Sequence, residues 1–379
     1  MKILYHHRIA SKDGQYVHVE ELTNALKEAG HELLFVCPKF ADKAEFGGEG
    51  GLATKLKALL PKSVYELLEL TYSLLVAYKL IAAIVKFRPD VIYERYNLYQ
   101  PAGVMIARLF NLPILMEVNA PLVEERSTYS GLALPRFAKW IENFTWRKAD
   151  YVLPVTQVLA EHVSSAGVSP DKIAVIPNGV NEHVLKDLDS RLAAQEHADE
   201  IMIGFTGFIH PWHGLDKALE AIASVRDKRL RFLCVGEGDI RPQLENQARQ
   251  LGIEDQVQFT GLVSRENVFE YVSKFDIALQ PSVTEYASPL KLFEYMACGT
   301  IVIAPDMPNI REILDDQSAL LFNPEDETGF RTQLLFAIEN YDSLSQMRAS
   351  VRGLIDTKKL TWQNNAAKVV DLVTPFESG

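Results

Sequence analysis

The sequence predicts two doubly wound α/β domains in tandem, each a parallel sheet covered by helices on both faces. Three observations predict it. The chain has 379 residues, more than one ordinary core accommodates and about right for two domains. Short apolar runs alternate with stretches of helical spacing along its length. The alternation breaks once, at VNEHVLKDLDSRLAAQEHADE (180–200), which is polar and charged, and then starts afresh.

The first series opens with KILYHH (2–7). GQYVHVEELTNALKEAG follows, with Val17, Leu22, Ala25 and Leu26 at helical spacing and Gly30 as its stop. HELLFVC (31–37), DVIYER (90–95), PILMEV (113–118), DYVLPV (150–155) and KIAVIP (172–177) continue as strands with helices between them. The second series is IMIGFTG (201–207), LRFLCVG (230–236), QVQFTG (256–261), DIALQPS (276–282), TIVIAP (300–305) and ALLFN (319–323). The expected domains are therefore 1–185 and 201–360, with 186–200 as linker. Ligands of such sheets sit at the carboxyl ends of the strands. The last helix, LTWQNNAAKVVDLV (360–373), fits either domain by periodicity.

Composition, 47% hydrophobic and 23% charged, is that of a soluble globular protein. Nothing at the start reads as a secretory signal. Cys37, Cys234 and Cys298 have no metal-ligand spacing, so a reduced, cytoplasmic setting is expected. Residues 1–180 hold 20 Lys+Arg and 19 Asp+Glu, and the remaining 199 hold 19 and 31. The acidic second half argues against nucleic acid as partner. The neutral first half, with Lys55, Lys57 and Lys62, suits an anionic surface. The apolar stretch 66–87 is interrupted by Glu69 and Lys79, which disfavours a membrane span. It reads as a buried helix or, with the Lys-bearing segment 46–62 before it, as an interfacial one that gives a peripheral membrane contact through 46–87.

The chemistry concentrates in ASPLKLFEYMACG (287–299). Pro289 suits a first helical turn and Ser288 an N-cap. Free N–H groups there favour an anion. Lys291 adds a positive charge where the helix dipole alone would disfavour one, which makes sense beside a phosphate. Glu294 lies one turn on, where it could accept from a ribose diol. The same residues also describe a surface helix with an i, i+3 Lys–Glu pair. GFTGFIHPWHGLDKALEA (204–221) offers a second phosphate approach, with Gly207 ending a strand, Gly214 opening a helix and His213 before it. GEGD (236–239) lacks the spacing of a dinucleotide fingerprint, which lowers a nicotinamide dehydrogenase. The Asp-x-Asp of 187–189 falls in the linker and reads as chance. In the first domain, the strand ends carry KDGQ (12–15), ERYN (94–97) and EVNAP (117–121).

Taken together, GFTGFIHPWHGLDKALEA, FLCVGEGDIRPQLE, VQFTGLV, DIALQPS and ASPLKLFEYMACGTIVIAP, with DYVLPVTQVLAEHV and KIAVIPNGVN upstream, resemble retaining glycosyltransferases of family 4, with the two-domain GT-B fold. YERYNLY and LMEVNAP resemble a bacterial envelope-polysaccharide branch. The resemblance implies a nucleotide-sugar donor in the second domain and a glycan or lipid-linked acceptor in the first, with no metal or cofactor. It implies catalytic roles for Lys291, Glu294, His213 and Asn119. Donor contacts would come from Gly207, Phe208, Trp212, His213, Gly236, Tyr286, Ala287, Ser288, Pro289, Leu290, Lys291 and Glu294, and acceptor contacts from Gly14, Gln15, Arg95 and Asn119. It assigns 361–379 to the first domain. The protein would be cytoplasmic, or peripheral on the inner face of the membrane. Four positions depart from the family pattern. Tyr286 replaces the first Glu of Glu-x7-Glu, Phe208 and His213 replace an Arg and a Lys, and Asn119 replaces a His. With those bases gone, Lys291 is the remaining cation for the diphosphate, and His213 would assist when protonated. Two other readings use the same residues: a nucleotide-sugar 2-epimerase with Glu285 as acid/base, and a non-catalytic sugar-nucleotide-binding partner of a membrane assembly.

Overall fold

A computed structural model of the chain describes residues 1–9, 14–38, 60–193 and 200–377. The chain divides into two compact units. One is Met1–Pro177 with Tyr286–Ser288 and Trp362–Gly379, and the other is Asn178–Glu285 with Pro289–Thr361.

The first unit holds strands β1 (Lys2–His6), β2 (Glu32–Val36), β3 (Val91–Arg95), β4 (Ile114–Val118) and β5 (Tyr151–Pro154). All pairs are parallel, in the order β2-β1-β3-β4-β5. The central strands are apolar up to their carboxyl ends, where Glu94, Arg95 and Glu117 lie, because both faces are covered, and Ile92, Tyr93, Leu115 and Met116 are buried. The order reverses between β1 and β3, so the strand ends at His6 and Arg95 flank the crevice where doubly wound sheets bind ligands. KIAVIP is not a full strand. It runs beside β5 with a single bridge, Val152 to Ile173, and the N–H groups of Ala174 and Ile176 donate to Val152 and Pro154. Pro177 then ends the run, since it has no N–H to extend a ladder.

The helix Lys62–Phe87 corrects the expectation of a buried helix. Val76, Leu80 and Ile84 face the core, but Val64, Leu67, Leu68, Leu74, Leu75, Tyr78 and Val85 are exposed. Among the described residues it is the helix long and apolar enough to cross a membrane by length and composition. Residues 46–59 of the expected membrane-facing segment lie outside the described residues.

The second unit holds β6 (Ile201–Thr206), β7 (Leu230–Val235), β8 (Val257–Phe259), β9 (Ile277–Leu279), β10 (Ile301–Pro305) and β11 (Ala319–Phe322). They are parallel in the order β11-β10-β9-β6-β7-β8. This is the nucleotide-binding order, with its switch point between β6 and β9. Separate apolar clusters cover its two faces, one around Phe205, Leu219 and Ile303 and one around Leu292, Phe293 and Val302.

The expected linker is corrected as well. Glu182–Ala193 is a helix of the second unit. Leu188 is buried, Val184 and Leu185 pack beside it, and Arg352 pairs with Asp189 and donates to the Leu185 carbonyl. Three apolar residues at helical spacing outweigh the surrounding charge, because only one stripe needs to be buried. Asp189, half of the Asp-x-Asp, is thus part of an ion pair. The last helix, Trp362–Glu377, groups with the first unit. Trp362 is buried edge-on against His18, with ring centroids 5.0 Å apart, and Asn365 donates to the Pro177 carbonyl at 2.6 Å.

Candidate active site

In the second unit the site forms at the ends of β6 and β9. The Thr206 N–H donates to the Tyr295 hydroxyl at 2.9 Å, and that hydroxyl donates to the Leu279 carbonyl at 3.3 Å. One tyrosine therefore ties the two strands together at the switch point. Gly207 follows at φ +122°, and Gly236, which ends β7, at φ +148°. A Cβ on Gly236 would lie 2.0 Å from the Gly207 carbonyl oxygen, so the two loops touch at backbone distance.

The helix Leu290–Cys298 starts one residue later than its sequence suggests. Pro289 occupies the cap position, at φ −74° and ψ 117°, and no side chain caps the helix. The extended conformation suits proline but not a residue inside a helix. Ser288 therefore precedes the cap, and the first N–H groups lack a partner within the helix. Lys291 is in the first turn and points its ammonium inward. Its Nζ lies 4.0 Å from the centroid of Phe205 and 3.2 Å from where a Gly207 Cβ would be. Desolvation lowers its pKa to about 8, against the pull of Glu294. Glu294 is 5% exposed. Arg265 pairs with its Oε1, and the Thr206 hydroxyl donates to its Oε2 at 3.4 Å. Sequence reasoning missed Arg265, which is remote in the chain and has no motif to mark it.

His213 closes the short turn Pro211–His213, with its ring 5.0 Å from that of Phe205. The expectation of a protonated His213 is corrected. Desolvation, then Lys291 and His210, push its pKa down to about 3. The His210 N–H donates to His213 Nδ1 at 3.3 Å. The neutral ring therefore carries its hydrogen on Nε2, and the ring also hydrogen-bonds the Phe208 backbone. Trp212 is exposed and stacks on His210 at 4.2 Å, while Phe208 is half-buried with its ring 6.3 Å from that of His210. Gly207, Lys291, Glu294 and His213 are thus brought together around Phe205.

Tyr286, Ala287 and Ser288 group with the first unit. The Tyr286 hydroxyl donates to Glu125 at 2.8 Å, and its carbonyl accepts from Thr156 at 3.0 Å. The expected acceptor residues separate. Arg95 and Asn119 meet on Glu117, each donating to Oε1 at 2.6 Å. Gly14 and Gln15 are exposed at the start of their helix, and Lys12 and Asp13 lie outside the described residues. Around Glu117 lies a buried polar cluster that sequence reasoning missed. Its Oε2 accepts from Tyr93 at 3.0 Å and faces His18 Nε2 at 3.0 Å. Burial alone would raise the Glu117 pKa, but His18 and Arg95 hold it well below the usual carboxylate range. Beside it, His6 and Glu94 pair at 2.7 Å, and burial, His6 and Arg95 push the His7 pKa down to about 4. The signal for these groups was their place at the carboxyl ends of adjacent parallel strands.

The model described as Glycosyltransferase Family 4 matches residues 12–184, and that described as Glycosyl transferases group 1 matches residues 200–340. The chain belongs to glycosyltransferase family 4. It is 25% identical over 358 residues to the sulfoquinovosyl transferase SQD2 of Arabidopsis thaliana, covering 91% of this chain and 67% of that protein. It is 24% identical over 252 residues to the alpha-monoglucosyldiacylglycerol synthase of Streptococcus pneumoniae, covering 62% of this chain and 56% of that enzyme. The fold is GT-B. The crystal structure of Anabaena Alr3699/HepE in complex with UDP superposes with a TM-score of 0.71 at 15% identity, over 99% of this chain and 100% of that one. This family 4 enzyme is a transferase, and its Lys291 and Glu294 stand at the strand ends where doubly wound sheets bind ligands.

Proposed function

We propose that the enzyme is a retaining, metal-independent glycosyltransferase. It takes a sugar from a nucleoside-diphosphate sugar and delivers it to a hydroxyl of a lipid-linked or polysaccharide precursor of the bacterial envelope. The observation that carries this reading is the inward-pointing Lys291 and the buried Glu294 of one helix, set beside the bare backbone of Gly207. Glu294 accepts from the ribose hydroxyls. The uncapped helix start and Lys291 hold the diphosphate, with the neutral His213 ring beside them. When the bond between sugar C1 and phosphate breaks, negative charge grows on the leaving phosphate, where fixed donors and a cation lower the barrier. The acceptor oxygen bonds to C1 on the same face, and its proton passes to that phosphate.

The UDP bound by the Anabaena protein and the diacylglycerol in the name of the pneumococcal relative support a nucleotide donor and a lipid acceptor. The exposed Leu74, Leu75 and Tyr78 support a peripheral contact with the inner face of the cytoplasmic membrane through residues 46–87.

The test is a thermal-shift screen against the uridine, guanosine, adenosine, thymidine and cytidine diphosphates and their common sugar conjugates, with wild type and Glu294→Ala in parallel. Ligands that bind only the native state raise its melting temperature. A shift with one base, lost in Glu294→Ala, supports the reading. No shift with any of them rejects it. Product NMR on the transferred sugar then decides between retention and inversion at C1.

A further inference from the structure

Glu294 has a partner that the family motifs do not include. Arg265 sits in the short turn Arg265–Asn267 after β8, its guanidinium 5.7 Å from the Phe269 ring centroid. It pairs with Glu294 Oε1, while Thr206 occupies Oε2 at a weak 3.4 Å. The Glu294 side chain is 7% exposed and the Arg265 side chain 28%. A carboxylate that buried needs a partner in place of the water it has lost. Lys291 also attracts Glu294, but its ammonium rests on Phe205, so the direct ion pair is the one with Arg265. Being part-exposed, Arg265 is also the member of the pair that can shift when a ligand arrives.

We infer that Arg265 is the positioning residue of the donor site: it fixes the Glu294 carboxylate in place and aims its free lone pairs at the two ribose hydroxyls. The inference rests on the reading of Glu294 as the ribose acceptor. It makes the affinity contributed by Arg265 conditional on the ribose diol. An arginine that instead gripped the diphosphate or the base would contribute equally with or without that diol.

The experiment is a calorimetric double cycle on the full chain. Wild type, Arg265→Gln and Arg265→Lys are titrated with whichever of UDP, GDP and ADP wild type binds most tightly, and with its 2′,3′-dideoxy counterpart. Arg265→Gln is expected to weaken the ribonucleotide at least about tenfold, the scale of one hydrogen bond to a charged group. It should leave the dideoxynucleotide, already weak, within about twofold by the same measure. Arg265→Lys should recover part of the loss. Equal weakening of both ligands, unchanged affinity, or tighter binding of the ribonucleotide each overturns the inference. Failure of wild type to bind any diphosphate is a different result, and it rejects the parent reading instead. Circular dichroism of the variants separates a binding loss from a folding loss.

Discussion

Replacing Lys291 with methionine separates function from stability in a way the structure makes quantitative. The Lys291 ammonium is turned away from water, and its pKa falls from 10.5 to about 8. Between those values the unfolded chain binds a proton that the folded one does not, so stability rises as pH rises through that window. At pH 7 both states are protonated, and the desolvated charge costs about 3 kcal/mol, taking about 1.4 kcal/mol for each tenfold change in the proton-binding constant. The Phe205 face, 4.0 Å away, offsets part of the desolvation as a cation–π contact, and that cost is the net of the two. Lys291→Met, which fills the same space without charge, should therefore stabilise the protein by up to about 3 kcal/mol at pH 7. Its stability should lack the rise that wild type shows from pH 8 to 10.5. Turnover should fall by about 10²–10³, the scale of one lost transition-state donor. Urea denaturation at pH 7 and pH 9.5, with turnover on the donor found in the screen, measures all three. Donor affinity in wild type should also weaken above pH 8 as Lys291 loses its proton. A Met variant that is less stable at pH 7 and still turns over normally refutes the assignment of Lys291 as the diphosphate cation.

Three further outcomes rest on other residues. With its pKa pushed down to about 3, His213 carries no charge near neutrality, so turnover should show no inflection near the ordinary imidazole value of about 6.5; an inflection there that disappears in His213→Gln contradicts the neutral ring. Gly236→Ala puts a Cβ 2.0 Å from the Gly207 carbonyl at φ +148°, and should lower stability by more than about 2 kcal/mol, measured by urea denaturation. Leu74→Glu with Tyr78→Glu removes two exposed apolar side chains, so co-flotation with anionic vesicles should drop severalfold while binding of the nucleotide is unchanged.

Legibility in the sequence follows the strength of the local signal. Strand–helix alternation marked every paired strand of both sheets, because strands buried on both faces must be apolar throughout. It over-read KIAVIP, where the composition of a strand meets only one neighbour and a proline. It under-read Glu182–Ala193, whose apolar stripe is hidden among charges. At the site, Lys291 and Glu294 could be read because both lie on one helix beside a proline and a glycine. Arg265, 29 residues from Glu294, and the cluster of Tyr93, His18, Arg95 and Asn119 around Glu117 are assembled by the fold from separate strands and helices. Strand-end position marked Arg95 and Asn119, but no spacing rule reaches Arg265, Tyr93 or His18. The charge on His213 was misjudged for a related reason: depth of burial decides it, and a sequence does not print depth.

The pairing of His18 with Trp362 has a consequence during synthesis. The first unit gathers residues from the start of the chain and from beyond position 361, so a ribosome has made all of the second unit before the first can close. Domains generally fold as units in the order they emerge. Here that order is inverted at the last step, and the second unit can be complete while His18 still awaits its cover. A chain truncated after Thr361, where the second unit ends, should accordingly present a protease-resistant second unit and a still-cleavable first one.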